Sequence, residues 1–201
     1  MDRLISSEAR IRAVEKSALL DAPTEEDFDV MTRLAVRLPQ VPVCYVSIID
    51  KERDFFATQH GLPAPLSVVR QNTGRTFCHY VLESDEPLVA ADALEHPVLA
   101  MLQSVQAMGA RSYVGVPLKL DGQTIGTFCV VDMRPRAWSI SDLEILQQLT
   151  TTGCAWRMAT ASRSRSITHW RRPKPFCTCP AMPSSFSASR KSGASKARRQ
   201  T

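Results

Sequence analysis

The chain has 201 residues, enough for one domain of ordinary size and a further segment. Residues 1–156 carry 14 Lys and Arg against 20 Asp and Glu, whereas residues 157–201 carry 11 Lys and Arg and no acidic residue. The two parts therefore have net charges of −6 and +11, which give the +5 of the whole chain. The start of the chain lacks the apolar core of a secretory signal, and the apolar stretch 41–49 is far shorter than the ~20 residues of a membrane helix. We therefore expect a cytoplasmic protein without a membrane span.

The six cysteines do not predict a disulfide framework. Four of them stand singly within apolar segments, at Cys44, Cys78, Cys129 and Cys154. That placement is typical of buried free thiols in a reducing compartment. It agrees with a cytoplasmic location.

The first part of the chain predicts two helices and then two strands. Apolar residues recur at helical spacing over residues 8–20 and again over 24–38, where Pro39 ends the second helix. Residues 42–49 form a strand in which both alternating sets are apolar, so both of its faces are expected to be buried. A second strand covers 54–59, and the Gly and Pro residues of 60–75 predict a loop over the domain.

The second part predicts short helices and strands in alternation. In chain order these are a helix at 76–83, a strand at 87–91, a helix at 98–108, strands at 113–120 and 123–131, and a last helix from residue 141. Asp121-Gly122 between the last two strands is favoured in a two-residue type I′ hairpin turn. The order of elements predicts an α+β fold: a largely antiparallel sheet with helices on both faces.

Seven short segments of the chain resemble the GAF domain family, in the form found at the front of bacterial signalling proteins. They follow one another in the family's order and at its spacing over residues 8–156: Leu19–Asp21 with Phe28-Asp29, Val46–Asp50, Phe55–Leu62, Arg75–His79, Leu88–Asp92, Tyr113–Leu118 and Gly126–Asp132. The resemblance implies a domain that senses a small molecule or binds a protein. Such domains are attached to a histidine kinase, a diguanylate cyclase or a similar output.

The resemblance does not name the ligand. The Asn-Lys-x-Phe-Asp-Glu signature of the cyclic-nucleotide-binding members is absent from this sequence, and Cys78-His79 lacks the context in which bilin-binding members attach their pigment. No Gly-rich phosphate loop, nucleophile elbow or metal-binding spacing of Cys and His occurs. We therefore predict no cofactor, no metal and no catalytic residue.

A ligand pocket is implied by the resemblance, between one face of the sheet and the segments near 70–80 and 92–112. A small polar metabolite there requires a few fixed polar groups in an otherwise apolar cavity. The charged residues that the sequence places best are Arg75, Asp92 and Arg111. Phe77, Cys78 and Tyr113 stand beside them, and these six residues form the predicted ligand site.

The alternative function is a redox enzyme, because one class of GAF-related proteins reduces free methionine sulfoxide through paired cysteines. Cys78 and Cys129 are the candidates, but such chemistry needs an exposed thiolate of low pKa, and Cys129 lies in an apolar strand. Adjacent helical residues diverge by about 100°, so Cys78-His79 does not predict a nucleophile with its base. An assay with free methionine sulfoxide separates the enzyme from the sensor.

Residues 157–201 form a basic tail rich in Ser, Arg and Pro, with Ile167 as its one branched aliphatic residue. This composition predicts disorder. Three interpretations stay open: translation out of frame in place of a lost output domain, a spacer, or a basic arm that binds an anionic partner weakly. Translation of the DNA beyond codon 156 in the other two frames decides the first of them.

The resemblance also implies assembly, since related domains dimerise through their terminal helices. Here these helices are 8–20 and 141–156, with apolar stripes that include Val14, Leu19 and Leu146. The same stripes serve the core of the domain, so we expect a weak homodimer.

Overall fold

The computed structural model describes residues 2–23, 26–37 and 39–152. The predicted tail at 157–201, Cys154 and the end of the predicted domain at 156 lie outside the described residues. The described part folds around one antiparallel sheet of six strands in the order β3-β2-β1-β6-β5-β4. The strands are β1 (Val43–Ile49), β2 (Asp54–His60), β3 (Gln71–Asn72), β4 (Leu88–Ala90), β5 (Ser112–Leu120) and β6 (Gln123–Asp132).

Helices cover both faces of this sheet, which confirms the predicted α+β fold. In chain order they are α1 (Asp2–Ile5), α2 (Glu8–Ser17), α3 (Glu26–Arg37), α4 (Leu66–Val69), α5 (Phe77–Ser84), α6 (Gln103–Met108) and α7 at 140–152. Apolar residues of α2, α3 and α7, among them Val14, Ala35 and Leu146, join the hydrophobic cluster on one face. Those of α5 and α6, such as Val81 and Val105, join the cluster on the other.

Strand β1 lies inside the sheet and is buried on both faces, as its sequence predicts. Cys44, Val46 and Ile48 belong to the cluster under α2, α3 and α7. Val43, Tyr45 and Ile49 belong to the cluster under α5 and α6, together with Phe56 of β2. The alternation of side chains along a strand explains the division. The second cluster is the one that borders the candidate site.

The hairpin of β5 and β6 has the predicted turn. Asp121 has φ 50° and Gly122 has φ 74°, and a type I′ turn requires positive φ at both central residues. Strand β6 also passes very close to β1. A Cβ atom added at Gly126 would lie 1.9 Å from the carbonyl oxygen of Ser47, so only a glycine fits there without movement of the backbone.

Two covering segments differ from the sequence prediction. The predicted loop 60–75 contains α4 and β3, which are too short to show a periodic pattern. The predicted helix 98–108 is interrupted at Leu102, whose extended backbone (φ −66°, ψ 141°) separates a 3-10 turn at Leu99–Met101 from α6. Leu99, Leu102 and Val105 are all buried in the same cluster, so the interruption keeps three apolar side chains on the sheet.

Candidate functional site

A cavity of about 440 Å³ lies between the sheet and the segments that carry α4, α5 and α6. Its volume falls in the range of about 300–1,000 Å³ that is usual for small-molecule sites. The sheet contributes Val43, Tyr45, Phe56, Asn72 and Val131 to its lining; the segment before α5 contributes residues 62–66 and Thr76; and the remainder comes from Phe77, Gln103, Ser104, Ala107, Met108, Ala110 and Met133. The lining is mainly apolar and aromatic.

The polar side chains of this lining are all neutral. Asn72, Thr76, Gln103 and Ser104 stand among the apolar residues, as does the phenol of Tyr45, and no Asp, Glu, Lys, Arg or His takes part in the described lining. The carbonyl oxygen of the Asn72 amide accepts the Gly74 N–H at 3.4 Å, which leaves its NH₂ group for other partners. Ser104 Oγ is buried and makes no hydrogen bond within the described part of the chain.

The six residues of the sequence-predicted site lie in three different surroundings. Phe77 lines the cavity and stacks on Tyr113, with 4.6 Å between the ring centroids. Tyr113 and Cys78 are completely buried, and the Tyr113 hydroxyl lies 3.6 Å from Cys78 Sγ. Tyr113 thus supports the ring of Phe77, and neither Tyr113 nor Cys78 belongs to the described lining. Whether a ligand contacts Phe77 stays a prediction.

The three predicted charged residues lie outside the cavity lining. Arg111 donates to both carboxylate oxygens of Asp92, with 2.8 Å from Nε to Oδ1, and Asp92 also accepts the Leu94 N–H and caps the short turn that follows. The hydrogen bond from Arg111 lowers the pKa of Asp92. Arg75 pairs with Glu83, and its guanidinium carbon lies 4.4 Å from the ring centroid of Tyr80. Ligand contacts of these charged side chains also stay predictions.

Thr76 connects the cavity to a buried polar group on the sheet. Its hydroxyl donates to Asp54 Oδ2 at 2.8 Å, and the other oxygen of this carboxyl accepts the Ser47 hydroxyl. Burial raises the pKa of Asp54 well above its ordinary value, because the charged form loses its hydration. The hydrogen bonds from Ser47 and Thr76 act in the other direction, but burial is the larger effect and favours the neutral form of Asp54.

His79 is part of the same network and closes the start of α5. Its Nδ1 accepts the Thr76 N–H at 3.1 Å, which requires the neutral ring to carry its proton on Nε2. Burial, with the nearby charges of Arg75 and Arg10, lowers the pKa of His79 from 6.5 to about 4. The ring therefore caps a helix and is not placed as a base for Cys78.

Cys78 and Cys129 meet beneath α5 as free thiols. Burial raises the pKa of Cys78, but hydrogen bonds from Cys129, Thr127 and Tyr113 outweigh it and hold this pKa at about 6. Both sulfur-bearing residues are 0% exposed. A thiolate that attacks an external substrate needs exposure as well as a low pKa, so Cys78 meets one of the two requirements, and Cys129, whose pKa is raised by burial, meets neither.

Sequence reasoning missed Asn72, Gln103 and Ser104. Asn72 lies in a two-residue strand, and the other two begin α6, whose start depends on the extended backbone at Leu102. A sequence signal was present for Gln103 and Ser104: they are polar, and they precede the cavity-lining Ala107 and Met108 by four residues, which puts each pair on the same side of one helix.

No group of three or more metal-ligating side chains occurs among the described residues, and none of their helices is long and apolar enough to cross a membrane.

Comparison with known proteins shows which family has this architecture. The sequence model of the GAF domain family matches residues 23–152. A cyclic di-GMP phosphodiesterase of Pseudomonas aeruginosa is 31% identical over 126 residues, which are 61% of this chain, and the match spans 21% of that protein's length.

Solved structures show the same fold at low identity. The GAF domain of the Acinetobacter phosphoenolpyruvate-protein phosphotransferase is 18% identical with a TM-score of 0.54, over 81% of this chain and 98% of that one. The type II free methionine-R-sulfoxide reductase of Thermoplasma acidophilum is 15% identical with a TM-score of 0.52, over 65% of this chain and 89% of that one. At such identities the likeness concerns the fold alone.

Proposed function

We propose that this chain, which belongs to the GAF domain family, is the small-molecule-sensing input module of a signalling protein. The observation that carries the proposal is the apolar cavity of about 440 Å³ under α4, α5 and α6, with several neutral polar groups in its lining. A ligand there contacts both the sheet and short covering segments. Binding can therefore change how these segments pack, which is what a sensor requires.

The output of the module belongs to the same proposal. The chain spans about a fifth of the length of its Pseudomonas relative, so that protein contains much that has no counterpart in this match. That relative is a cyclic di-GMP phosphodiesterase, which supports a role in signal transduction. We infer that this chain is the input module of a sensor histidine kinase or a diguanylate cyclase, and that it has no catalytic activity of its own.

A cavity-filling variant tests the proposed site. In a thermal-shift screen of metabolites with the full chain, a ligand at 100 times its dissociation constant stabilises the folded state by about 2.7 kcal/mol. Ala107 lines the cavity and is itself exposed to solvent, so Ala107→Trp should fill part of the space and remove the ligand-dependent shift. The melting temperature without ligand should change little, because residue 107 is exposed.

Gln106→Trp is the matched control for this variant. Gln106 precedes Ala107 on the same helix, is exposed and does not line the cavity. It should keep the full ligand-dependent shift. The proposal fails if no metabolite stabilises the wild type, or if the shift survives in Ala107→Trp.

A redox enzyme is the competing function, and the low pKa of Cys78 is the observation in its favour. The complete burial of Cys78 and Cys129 opposes it. The likeness to the methionine-R-sulfoxide reductase adds only the shared fold. The sensor therefore remains our proposal.

Assembly as a weak homodimer through α2 and α7 also remains a proposal. Val14, Leu19 and Leu146 are buried within the described single chain, so they already serve its core. A dimer must then use side chains that these helices leave exposed, such as Ile140 at 79%. Sedimentation at increasing protein concentration should show a rising average mass, and a mass that stays monomeric would contradict the dimer.

A further inference from the structure

We infer that the ligand of this cavity is an uncharged, largely apolar molecule with one hydrogen-bonding edge of the kind that a primary amide presents. The inference rests on the proposed function, because it concerns the occupant of the same cavity. It follows from two features of the lining: which charged groups are missing from it, and which polar atoms are left without a partner.

Three arginines flank the covering segments, and each has a partner outside the cavity lining, although the buried Nε of Arg75 makes no hydrogen bond within the described part of the chain. Arg75 pairs with Glu83 and lies over Tyr80, and Arg111 is held by both oxygens of Asp92. Arg70 donates to the carbonyl oxygens of Ala22, Phe56 and Ala57. The described lining thus offers no positive side chain to a phosphate or a carboxylate.

An anion in such a cavity is costly. A charged group taken out of water must be paired or fully hydrogen-bonded, and otherwise it pays a desolvation penalty far above that of a neutral polar group. The described part of the lining also has no acidic side chain that would pair with a cation, and burial favours the neutral form of the nearby Asp54. Both signs of charge are therefore disfavoured.

The polar atoms left over describe the edge that the ligand must present. Ser104 lines the cavity, and its Oγ, which can both donate and accept, is buried without a hydrogen-bond partner in the described part of the chain. The Asn72 NH₂ group is a further donor in the lining, and the Gln103 amide offers both a donor and an acceptor. A primary amide, with one carbonyl oxygen and one NH₂ group, matches such a mixed set.

The aromatic part of the lining favours a flat apolar body. Tyr45 and Phe56 make an edge-to-face pair with 5.1 Å between their centroids, and Phe77 is fixed by its stack on Tyr113. Rings held in this way present a rigid surface at little entropic cost. An aromatic amide therefore has both required features: a flat apolar ring for the aromatic part of the lining, and an amide group for its polar side chains.

Two matched pairs of probes test the inference. Indole-3-acetamide and benzamide are to be compared by calorimetry at pH 7 with indole-3-acetate and benzoate, which share their skeletons but carry a charge. Each amide should bind the full chain at least about tenfold more tightly than its carboxylate. Ala107→Trp should abolish the binding of the amides.

Two further variants assign the effect to the residues named. Ser104→Ala should weaken amide binding about 3- to 10-fold and leave the melting temperature of the free protein unchanged or higher, because the buried hydroxyl has no partner to lose. Gln103→Lys, at an exposed position of the lining, should improve carboxylate binding and narrow the difference within each pair.

The outcomes separate this inference from the proposed function. Carboxylates that bind as tightly as the amides, with sensitivity to Ala107→Trp, would overturn the inference and leave the cavity as a ligand site. The same follows if metabolites bind in the cavity and neither amide does. If neither the probes nor any metabolite binds, both the inference and the proposed function fail.

Discussion

Gly126→Ala is expected to destabilise the folded domain by about 3 kcal/mol or more, the largest effect of any single change considered. Gly126 lies in β6, between β1 and β5, and pairs with Ile48 and Leu118. The added Cβ would lie 1.9 Å from Ser47 O and 2.9 Å from the Cα of Ile48. These neighbours are backbone atoms of a central strand, so relief requires the strands to separate. Urea unfolding followed by circular dichroism measures the loss.

Gly74→Ala is the matched control. Its added Cβ would lie 3.5 Å from the Gln103 side-chain oxygen, which is ordinary van der Waals contact. Its stability should stay within about 0.5 kcal/mol of the wild type. Equal stability of Gly126→Ala and Gly74→Ala would show that β1 and β6 do not approach as closely as described.

The second large effect is a loss of stability in mild acid, caused by His79. Its pKa is lowered from 6.5 to about 4 in the folded state, because the ring is buried and faces Arg75 and Arg10. The unfolded chain therefore binds this proton more readily. The stabilising contribution is complete above pH 6.5 and is lost as the pH falls from 6.5 to about 4, by about 3 kcal/mol in total. Urea unfolding at a series of pH values measures it.

His79→Gln isolates this contribution. A glutamine at this third position of α5 keeps an acceptor for the Thr76 N–H but does not titrate. The variant should therefore show a shallower decline between pH 6.5 and 4 than the wild type. Asp54, with its raised pKa, has the opposite sign and is present in both proteins, so the difference between the two curves reports His79. Parallel curves would mean that His79 is protonated normally in the fold.

The sheet could be predicted from the sequence because its determinants are local. The two alternating apolar sets of β1 indicate that both faces of this strand are buried. The Asp121-Gly122 turn indicates that β5 pairs with β6. Neither inference depends on residues far away in the sequence. Periodicity carries this information directly.

The cavity could be predicted only in part, because its lining depends on contacts between segments far apart in sequence. Arg111 and Asp92 were predicted to contact a ligand, yet they form an ion pair with each other outside the described lining. No local sequence pattern predicts that pairing. Gln103 and Ser104 enter the lining because the chain is extended at Leu102. Phe77 was named because the resemblance places a pocket near residues 70–80, and its side chain does line the cavity.

Methionine methyl groups offer the most direct measurement of the central claim, that the cavity beneath α6 binds a small molecule. Met108 and Met133 line the cavity, whereas Met31 packs on the opposite face of the sheet and Met101 is 78% exposed. In the full chain labelled with ¹³C-methyl methionine, saturating indole-3-acetamide, or a metabolite found by thermal shift, should move the signals of Met108 and Met133 and leave those of Met31 and Met101 in place. A compound that stabilises the protein while moving only Met31 or Met101 would contradict the claim, because it would bind somewhere else.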